Sequence, residues 1–458
     1  MRPTLDPKFK PAILELRAFD KRVAASKEKQ HLIVAVERAG GYIYRREFDI
    51  LPDGVDDEAN TLITERLIKS ILWVIGGFKI YIAGSHVVYS NIKSYYQKDG
   101  LRAFDYDFWS TTFETEVEVI ECDEKTIPEA VVSSEAAGGH LEGKRIGFDV
   151  GGSDLKVSAV INGEVVSSEE VVWHPKTHED VQYHYDELYK AMRLGVERLG
   201  GDVDAIGISA AGVIVTDRPM VSSIFIKVPK KDFELVKYAY INVVRRLEKE
   251  LGHAIPFVVA NDGDVTALAG AVDLKAGDVL GIAMGTSEAG GYVDANGNLT
   301  GWFSELAFVP IDFNKDAAVD EWSKDYGVGC KYLSQDAVIK LLEPAGIEVD
   351  SSLTPAEKLS FVQGLMEKDD PRAIEIFQNI GVYFAYALAY YAEFYEIKHV
   401  IMLGRVTSGK GGDVILECAR KTLEEDFPEY AHFHLTMPSE SMRRVGQSIA
   451  AASLPNLD

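Results

Sequence analysis

Four turns of small and polar residues, each directly after a short apolar run, constrain this 458-residue chain more than any other feature. The runs and turns are RIGF before 149–153, PFVVA before 261–264, VLGIAM before 285–291 and HVIM before 403–404. Apolar runs of this length are typical of buried strands, and stretches of helical periodicity lie between them. Strands that alternate with helices predict an α/β fold with mixed sheets.

The chain is too long for one compact core, so we expect more than one domain. The small, polar stretch 133–144 reads as a linker. We predict an N-terminal α/β region at 1–140, a first lobe at 141–262 plus 441–458, and a second lobe at 263–440. The first 130 residues repeat the hairpin, helix and strand order seen after the linker, which leaves a degenerate duplication open.

The net charge of -24 argues against nucleic acid or an anionic membrane as a partner, because phosphate groups attract basic surfaces. Three isolated cysteines, Cys122, Cys330 and Cys418, do not suggest a disulfide scaffold, a zinc site or an iron–sulfur cluster. The first residues lack a signal-peptide pattern, and no apolar run reaches about 18 residues. We therefore expect a cytoplasmic protein without membrane spans.

The turn at 149–153 offers groups that suit phosphate. Gly151, Gly152 and Ser153 allow backbone N–H groups to approach phosphate oxygens. Asp149, at the end of the strand, could hold Mg²⁺ through water. A plain β-hairpin turn explains the same residues, and this alternative is the more common one for a single motif.

The turn at 261–264 places carboxylates between a core strand and a helix. Such a carboxylate can accept the proton of an attacking hydroxyl, which is the base that phosphoryl transfer needs. Asp and Asn are also favoured helix N-caps, which is the structural alternative. Asp264 lies nearer the helix and suits capping, so Asp262 is the better candidate base.

The other two turns are candidates for binding a nucleotide. Gly285, Thr286 and Ser287 offer hydroxyls and amides at a bend, and Gly404 precedes a glycine-rich segment that could form a flat wall for a base and ribose. Surface loops with ordinary turn chemistry are the alternative for both.

Six segments in this order resemble the motifs of the ROK family, sugar kinases of the actin/hexokinase/Hsp70 superfamily. They are DVGGS at 149–153, GISAAGVIV at 207–215, NDGDVTAL at 261–268, GTSEAGGYV at 285–293, SELAF at 304–308 and IMLGRVTSGKGG at 401–412. The resemblance extends from about residue 145 to the C-terminus, and its collinearity is more specific than any one motif.

The resemblance implies a two-lobed ribonuclease H-like fold of the actin/hexokinase ATPase type, with an additional N-terminal α/β domain. It implies ATP-dependent phosphorylation of a hydroxyl on a sugar-like small molecule, in a cleft between the lobes, with ATP and Mg²⁺ as cofactors. ROK-like proteins are often homodimers. The implied roles are Asp262 as catalytic base, Asp149 as metal ligand, Gly151, Gly152, Ser153, Gly285, Thr286, Ser287, Gly404 and Arg405 on the nucleotide, and Gly212, Asn261, Asp262 and Glu305 on the substrate.

Four departures from the family pattern leave a second function open. Phe308 stands where the family has a histidine, and the family's zinc loop is reduced to Cys330, so we expect no zinc. Glu288 lies in the second phosphate motif, where a carboxylate repels triphosphate unless it faces away or meets Mg²⁺. Asp154 stands where lysine is common. The alternative is a non-catalytic ROK-like sensor or scaffold for a sugar or nucleotide.

The N-terminal region does not match the winged helix-turn-helix of ROK repressors. It is acidic overall and rich in strand patterns, which argues against DNA binding.

Overall fold

The computed structural model describes residues 2–132, 138–439 and 446–457. The chain forms two compact units, each assembled from three segments. The first unit contains Met1–Ser133, Ile282–Gly290 and Gly301–Met437, and the second contains Ser134–Gly281, Gly291–Thr300 and Pro438–Asp458. The predicted division into an N-terminal region and two lobes differs from these units in its boundaries and stays a prediction.

The N-terminal region is an α/β element of the first unit, with a sheet in the order β2-β1-β3-β4. The predicted hairpin and the helix after it are confirmed, and Asp56 caps that helix through the N–H of Ala59. The elements are α1 (Ala12–Ala25), β1 (Gln30–Glu37), β2 (Ile43–Ile50), α2 (Asp57–Ile75), β3 (Lys79–Ala83), α3 (His86–Tyr95), α4 (Ala103–Phe113) and β4 (Glu118–Glu121).

The second unit contains a five-stranded mixed sheet in the order β11-β8-β5-β6-β7. Its elements are β5 (Lys144–Val150), β6 (Asp154–Ile161), β7 (Glu164–Val172), α5 (Val181–Arg198), β8 (Ala205–Ala210), β9 (Val213–Val215), β10 (Arg218–Val221), α6 (Phe233–Val236), α7 (Ala239–Leu251), β11 (Phe257–Asn261) and α8 (Asp262–Leu274). Strands β5, β8 and β11 are parallel neighbours, whereas β5, β6 and β7 form an antiparallel meander. In the N-terminal sheet the corresponding pair, β1 and β3, is antiparallel. The suggested duplication of the N-terminal region and the second unit stays a prediction. It would have to explain why β1 and β3 are antiparallel whereas β5 and β8 are parallel.

A third sheet has the order β13-β12-β14-β15. The remaining elements are β12 (Val279–Met284), β13 (Glu288–Val293), α9 (Gln335–Lys340), α10 (Pro355–Met366), α11 (Pro371–Tyr391), β14 (His399–Leu403), α12 (Lys410–Asp426), β15 (His434–Thr436) and α13 (Gln447–Ala452). The glycine-rich segment after Gly404, for which a surface loop was the alternative interpretation, runs into α12 at Lys410. The sequence pattern near the C-terminus predicts a helix over 441–452, and the described residues show it as Gln447–Ala452. Residues 440–445 lie outside the described residues.

Helix α13 packs against β5 and β8 at two strand glycines. A Cβ atom on Gly147 would lie 1.9 Å from the carbonyl oxygen of Ser448, and one on Gly207 would lie 1.6 Å from that of Ala451. Only residues without a side chain permit this approach of helix backbone to sheet. The glycines in RIGF and GISAAG therefore mark where α13 packs, a role the sequence did not reveal.

A buried cluster of six charged side chains ties the N-terminal region to a later segment of the first unit. Asp325 accepts hydrogen bonds from the Arg66 guanidinium at 2.7 and 3.2 Å, and it lies 2.9 Å from Arg102 and 3.3 Å from Lys69. These cations depress the pKa of Asp325 well below its usual range, against the effect of burial. The other members are Glu65, bonded to Arg102, and Asp105, bonded to Lys69 and Trp73, and all six are at most 4% exposed.

We expect Asp325→Asn to lower the free energy of unfolding by about 3–5 kcal/mol, because it leaves three buried cations with too few anionic partners. Urea denaturation at neutral pH measures the change. The matched control is Glu58→Gln, which removes the exposed ion pair with Lys315 and should cost at most about 1 kcal/mol. Equal effects of the two substitutions would show that the cluster contributes no more than a surface pair.

Candidate functional site

In the second unit, the carboxyl ends of three parallel strands bring the predicted catalytic residues together. In the strand register, Asp149 on β5 is paired with Ser209 on β8, and Asn261 on β11 is paired with Ala210 on β8. The Ser209 hydroxyl donates to Asp149 Oδ1 at 3.0 Å. Ligands commonly bind at this edge of a parallel sheet. Ser209 was not singled out from the sequence, although the strand pairing places it here.

Helix α8 begins directly at this edge. Asn261 is its N-cap: the side-chain oxygen accepts the N–H of Gly263 at 2.7 Å, and its Nδ2 donates to the carbonyl of Gly212 at 2.7 Å. The expectation that Asp264 caps the helix was therefore wrong, because the helix starts two residues earlier. Asn261 thus fixes the strand-to-helix turn from which Asp262 projects.

Asp262 has the electrostatic surroundings of a base. Burial, reinforced by the negative charge of Asp149, raises the pKa of the Asp262 carboxyl. Burial likewise raises the pKa of Asp149, while Ser209 and Lys156 act in the opposite direction. A carboxylate with a raised pKa holds a proton more readily, which favours proton acceptance from a hydroxyl. The two carboxylates therefore interact, as the prediction of a base beside a metal ligand requires.

The turn at 151–153 connects β5 to β6, so the hairpin interpretation of this motif is also correct. The N–H of Gly151 is used within the turn, where it donates to the Asp154 carbonyl at 3.0 Å. Among the described residues, no acceptor receives the N–H of Gly152 or of Ser153. Adjacent free N–H groups at a turn are suited to an anion, so the hairpin and the phosphate interpretations are compatible. For Mg²⁺, a half-buried carboxylate at Asp149 beside such a turn is a chemically fitting ligand.

The other predicted nucleotide residues lie in the first unit. Thr286 and Ser287 are exposed at the bend between β12 and β13, where Gly285 donates its N–H to the Ser287 carbonyl at 3.0 Å. Gly404, with φ of 103°, follows β14, and a Cβ there would lie 2.4 Å from the Met284 carbonyl. Glycine is required at this close approach. The exposed Arg405 follows. That these residues and those at 149–153 bind one nucleotide stays a prediction.

The segment that carries Glu305 is held by the last turn of α2. The N–H of Ser304 donates to the Val74 carbonyl and that of Glu305 to the Trp73 carbonyl, both at 2.9 Å. These carbonyls belong to the last turn of the helix, whose acceptors lack helical partners. The N-terminal region therefore positions the predicted substrate residue, a function that the sequence did not suggest.

Glu288 lies inside the first unit. The side chain is 4% exposed, and Oε1 accepts from the Tyr391 hydroxyl at 2.9 Å. Oε2 is buried and has no hydrogen-bond partner among the described residues. Burial raises the pKa of this carboxyl from 4.5 to about 8, so it is mainly protonated at neutral pH. The concern that Glu288 repels a triphosphate does not apply to a buried, neutral carboxyl.

The residues at the family's zinc positions do not fit a zinc site. Phe308 packs against Trp73 with ring centroids 4.3 Å apart. Cys330 is buried, and burial together with nearby Asp320 raises the pKa of its thiol, which opposes the thiolate that zinc needs. Among the described residues, no group of three or more His, Cys, Asp or Glu side chains is arranged to hold a metal. The expectation of no zinc stays a prediction.

Comparison with solved structures identifies the fold. No family model matches the chain, and no curated protein matches it. A ROK hexokinase from Thermus thermophilus is similar at a TM-score of 0.52 and 17% identity, over 68% of this chain and 97% of that one. A putative sugar kinase from Cytophaga hutchinsonii has a TM-score of 0.50 and 16% identity, over 68% and 98%. A ROK family transcriptional regulator, a homologue of E. coli MLC, has 0.53 and 16%, over 69% and 78%.

The chain therefore has a divergent ROK-type fold, in an α/β protein with several mixed sheets. The similar structures leave about a third of the chain uncovered, which confirms that the protein carries an extra region beyond that fold. Identities of this size establish the fold and not the activity. Within the described residues, no helix is long and apolar enough to cross a membrane.

We expect wild-type stability to fall relative to Glu288→Gln as the pH rises from about 4.5 to about 8. The folded protein keeps the Glu288 proton over this range, whereas the unfolded chain loses it. The stabilising contribution of the Glu288 carboxyl is fully present below its pKa in the unfolded chain, 4.5. It is lost as the pH rises through its pKa in the folded protein, about 8. Linkage gives a difference of a few kcal/mol, on the order of 1.4 kcal/mol per pH unit.

Urea unfolding at a series of pH values measures this difference. Gln retains the acceptor for Tyr391 and stays neutral, so only the pH dependence should change. The control is Glu124→Gln, which neutralises an exposed carboxylate of the same unit and should leave the wild-type profile unchanged. Parallel profiles for the wild type and Glu288→Gln would contradict a raised pKa at Glu288.

Proposed function

We propose that this protein is an ATP-dependent kinase that phosphorylates a hydroxyl group on a sugar or a sugar-like small molecule. The observation that carries the proposal is the pair of interacting carboxylates at one sheet edge: Asp262 at the start of α8 and Asp149 beside a turn with free N–H groups. A base, a metal ligand and phosphate donors are the components that phosphoryl transfer needs. The ROK-type fold and the sugar kinases among the similar structures support the same class of reaction.

In this proposal, Asp262 accepts the proton of the substrate hydroxyl while the hydroxyl oxygen forms a bond to the γ-phosphorus of ATP. The bond between the γ-phosphorus and the bridging oxygen breaks, and ADP leaves with that electron pair. When bound, Mg²⁺ supplies neutralisation of the phosphate charge, with Asp149 as its ligand through water. The raised pKa of Asp262 suits it to take the proton.

The other predicted residues have binding roles. The free N–H groups of Gly152 and Ser153 orient the phosphates, while the N–H of Gly151 holds the turn. The bend at Gly285, Thr286 and Ser287 offers its hydroxyl groups to the same phosphates. Gly404 and Arg405 contact the adenosine. Asn261, Gly212 and Glu305 orient the substrate hydroxyls, with Glu305 held in position by the carbonyl groups of α2.

The second candidate is a non-catalytic sensor or scaffold for a sugar or nucleotide. The observation that favours it is Phe308, which stands where the resembled motif has a histidine and is buried in an aromatic cluster. A phenyl ring offers no hydrogen bond to a substrate hydroxyl. A ROK transcriptional regulator among the similar structures indicates that this fold also serves a regulatory role elsewhere.

We expect Asp262→Asn to lower substrate-dependent ADP formation by about 100- to 10,000-fold, the usual contribution of a general base. The assay incubates the full chain with MgATP and a panel of monosaccharides, amino sugars and polyols, and follows ADP. Thermal unfolding checks that the variant is folded. The matched control is Asp264→Asn, which removes another first-turn carboxylate of α8 and should retain most of the activity.

The two candidate functions give different results in this assay. ADP that requires a substrate and disappears in Asp262→Asn supports the kinase. Nucleotide binding without turnover over the whole panel supports the sensor and contradicts the kinase. Failure of the wild type to bind ATP would contradict both candidates.

A further inference from the structure

The segment between β7 and α5 is anchored to the turn at 151–153. The indole of Trp173 is 1% exposed, and its Nε1 donates to the Gly151 carbonyl at 2.9 Å. The backbone N–H of Trp173 donates to the Ser153 carbonyl at 3.2 Å. Two bonds from one residue to both ends of a three-residue turn fix the segment against that turn.

The far end of the same segment is fixed as well. His184 on α5 is fully buried, and its Nε2 lies 3.1 Å from the Pro175 carbonyl oxygen. Its Nδ1 lies 2.9 Å from the carbonyl oxygen of Asp180. The His178 ring stacks on Tyr183 with centroids 3.6 Å apart. The backbone around Lys176 is therefore held on both sides, although the lysine side chain itself is exposed.

The ammonium group of Lys176 lies beside Gly152. A Cβ atom on Gly152 would be 2.9 Å from Lys176 Nζ, so the charge is adjacent to the turn whose Gly152 and Ser153 N–H groups are free. Within the described part of the chain, no carboxylate or carbonyl pairs with this ammonium. The acidic groups near the turn are Asp149, which interacts with Lys156, and Asp154, which accepts from the Ser153 hydroxyl at 3.4 Å.

The Lys176 ammonium is a positive charge beside two free N–H donors, in a chain whose net charge is -24. Other lysines of the same unit, such as Lys190 and Lys237, are engaged in ion pairs. An ammonium without a partner can bind an anion without first breaking an existing bond, and charge-assisted bonds to phosphate are the strong ones.

We propose that Lys176 is a phosphate-binding residue that supplies, from the segment after β7, the positive charge for the nucleotide phosphates at the turn 151–153. This inference rests on the proposed nucleotide-dependent function and adds to it a residue that none of the motifs contains. The charge contacts the phosphate groups and not the nucleoside. The role of Lys176 therefore depends on the number of phosphates in the ligand.

The experiment compares the wild type with Lys176→Met, which keeps side-chain length but removes the charge. Isothermal titration of the full chain with adenosine, AMP, ADP and ATP, in the presence of Mg²⁺, gives a Kd for each ligand. We expect unchanged adenosine binding and a loss that increases with phosphate number, reaching about tenfold or more for ATP at low salt. Lys176→Arg should recover most of the ATP affinity.

A matched control separates this site from general electrostatics. Lys249→Met removes another exposed lysine of the second unit, on α7, and should leave all four Kd values unchanged. If the wild type binds ATP and Lys176→Met binds it equally well, the inference is wrong while the proposed function survives. Equal weakening of adenosine and ATP indicates a structural role and also overturns the inference. If the wild type binds no nucleotide, both the inference and the proposed function fail.

Discussion

The buried charge cluster around Asp325 is the interaction on which the architecture of the first unit depends. Three acids and three bases come from α2, from α4 with its N-cap Arg102, and from the segment before Tyr326. Their charges balance only when these parts of the chain are assembled. Ions of this kind are costly to remove from water, and only complete pairing offsets that cost. The N-terminal region is therefore an integral part of the first unit.

The same region surrounds Phe308, which stands where the resembled motif has a histidine. The end of α2 presents Trp73, whose ring packs on Phe308 while its carbonyl accepts the N–H of Glu305. Further along, Lys10 accepts the N–H of Phe313 at its carbonyl, and its own N–H donates to Asp312. The stretch from Glu305 to Phe313 is thus held by contacts with the N-terminal region. An aromatic side chain at 308 fits this arrangement, whereas a histidine would place a polar ring in an apolar cluster.

The sequence predicted the strands and turns around the site because each of these strands is a short apolar run that ends at a turn residue. The ROK-type fold was predicted by the resemblance of six collinear motifs. The resemblance also implied that Asp149 and Asp262 share a site, and in the structure parallel strands β5 and β11 end at the same sheet edge. Contacts between distant segments could not be predicted in this way. Lys176 lies beside Gly152 because Trp173 is hydrogen-bonded to the turn. The Glu288 carboxyl does not repel phosphate because it is enclosed by Tyr391 and the surrounding core and is therefore neutral. Neither contact has a local sequence signal.

The position of α13 has a consequence for how the protein is made. This helix, built from some of the last residues of the chain, covers Gly147 and Gly207 on strands synthesised about 250 to 300 residues earlier. During translation the central sheet of the second unit cannot be covered by α13 until that helix has been synthesised. At ordinary elongation rates its apolar surface is therefore exposed for tens of seconds. Ribosome-associated chaperones are the factors that bind such surfaces, so efficient production should depend on them more than it would for a protein whose units are contiguous in sequence.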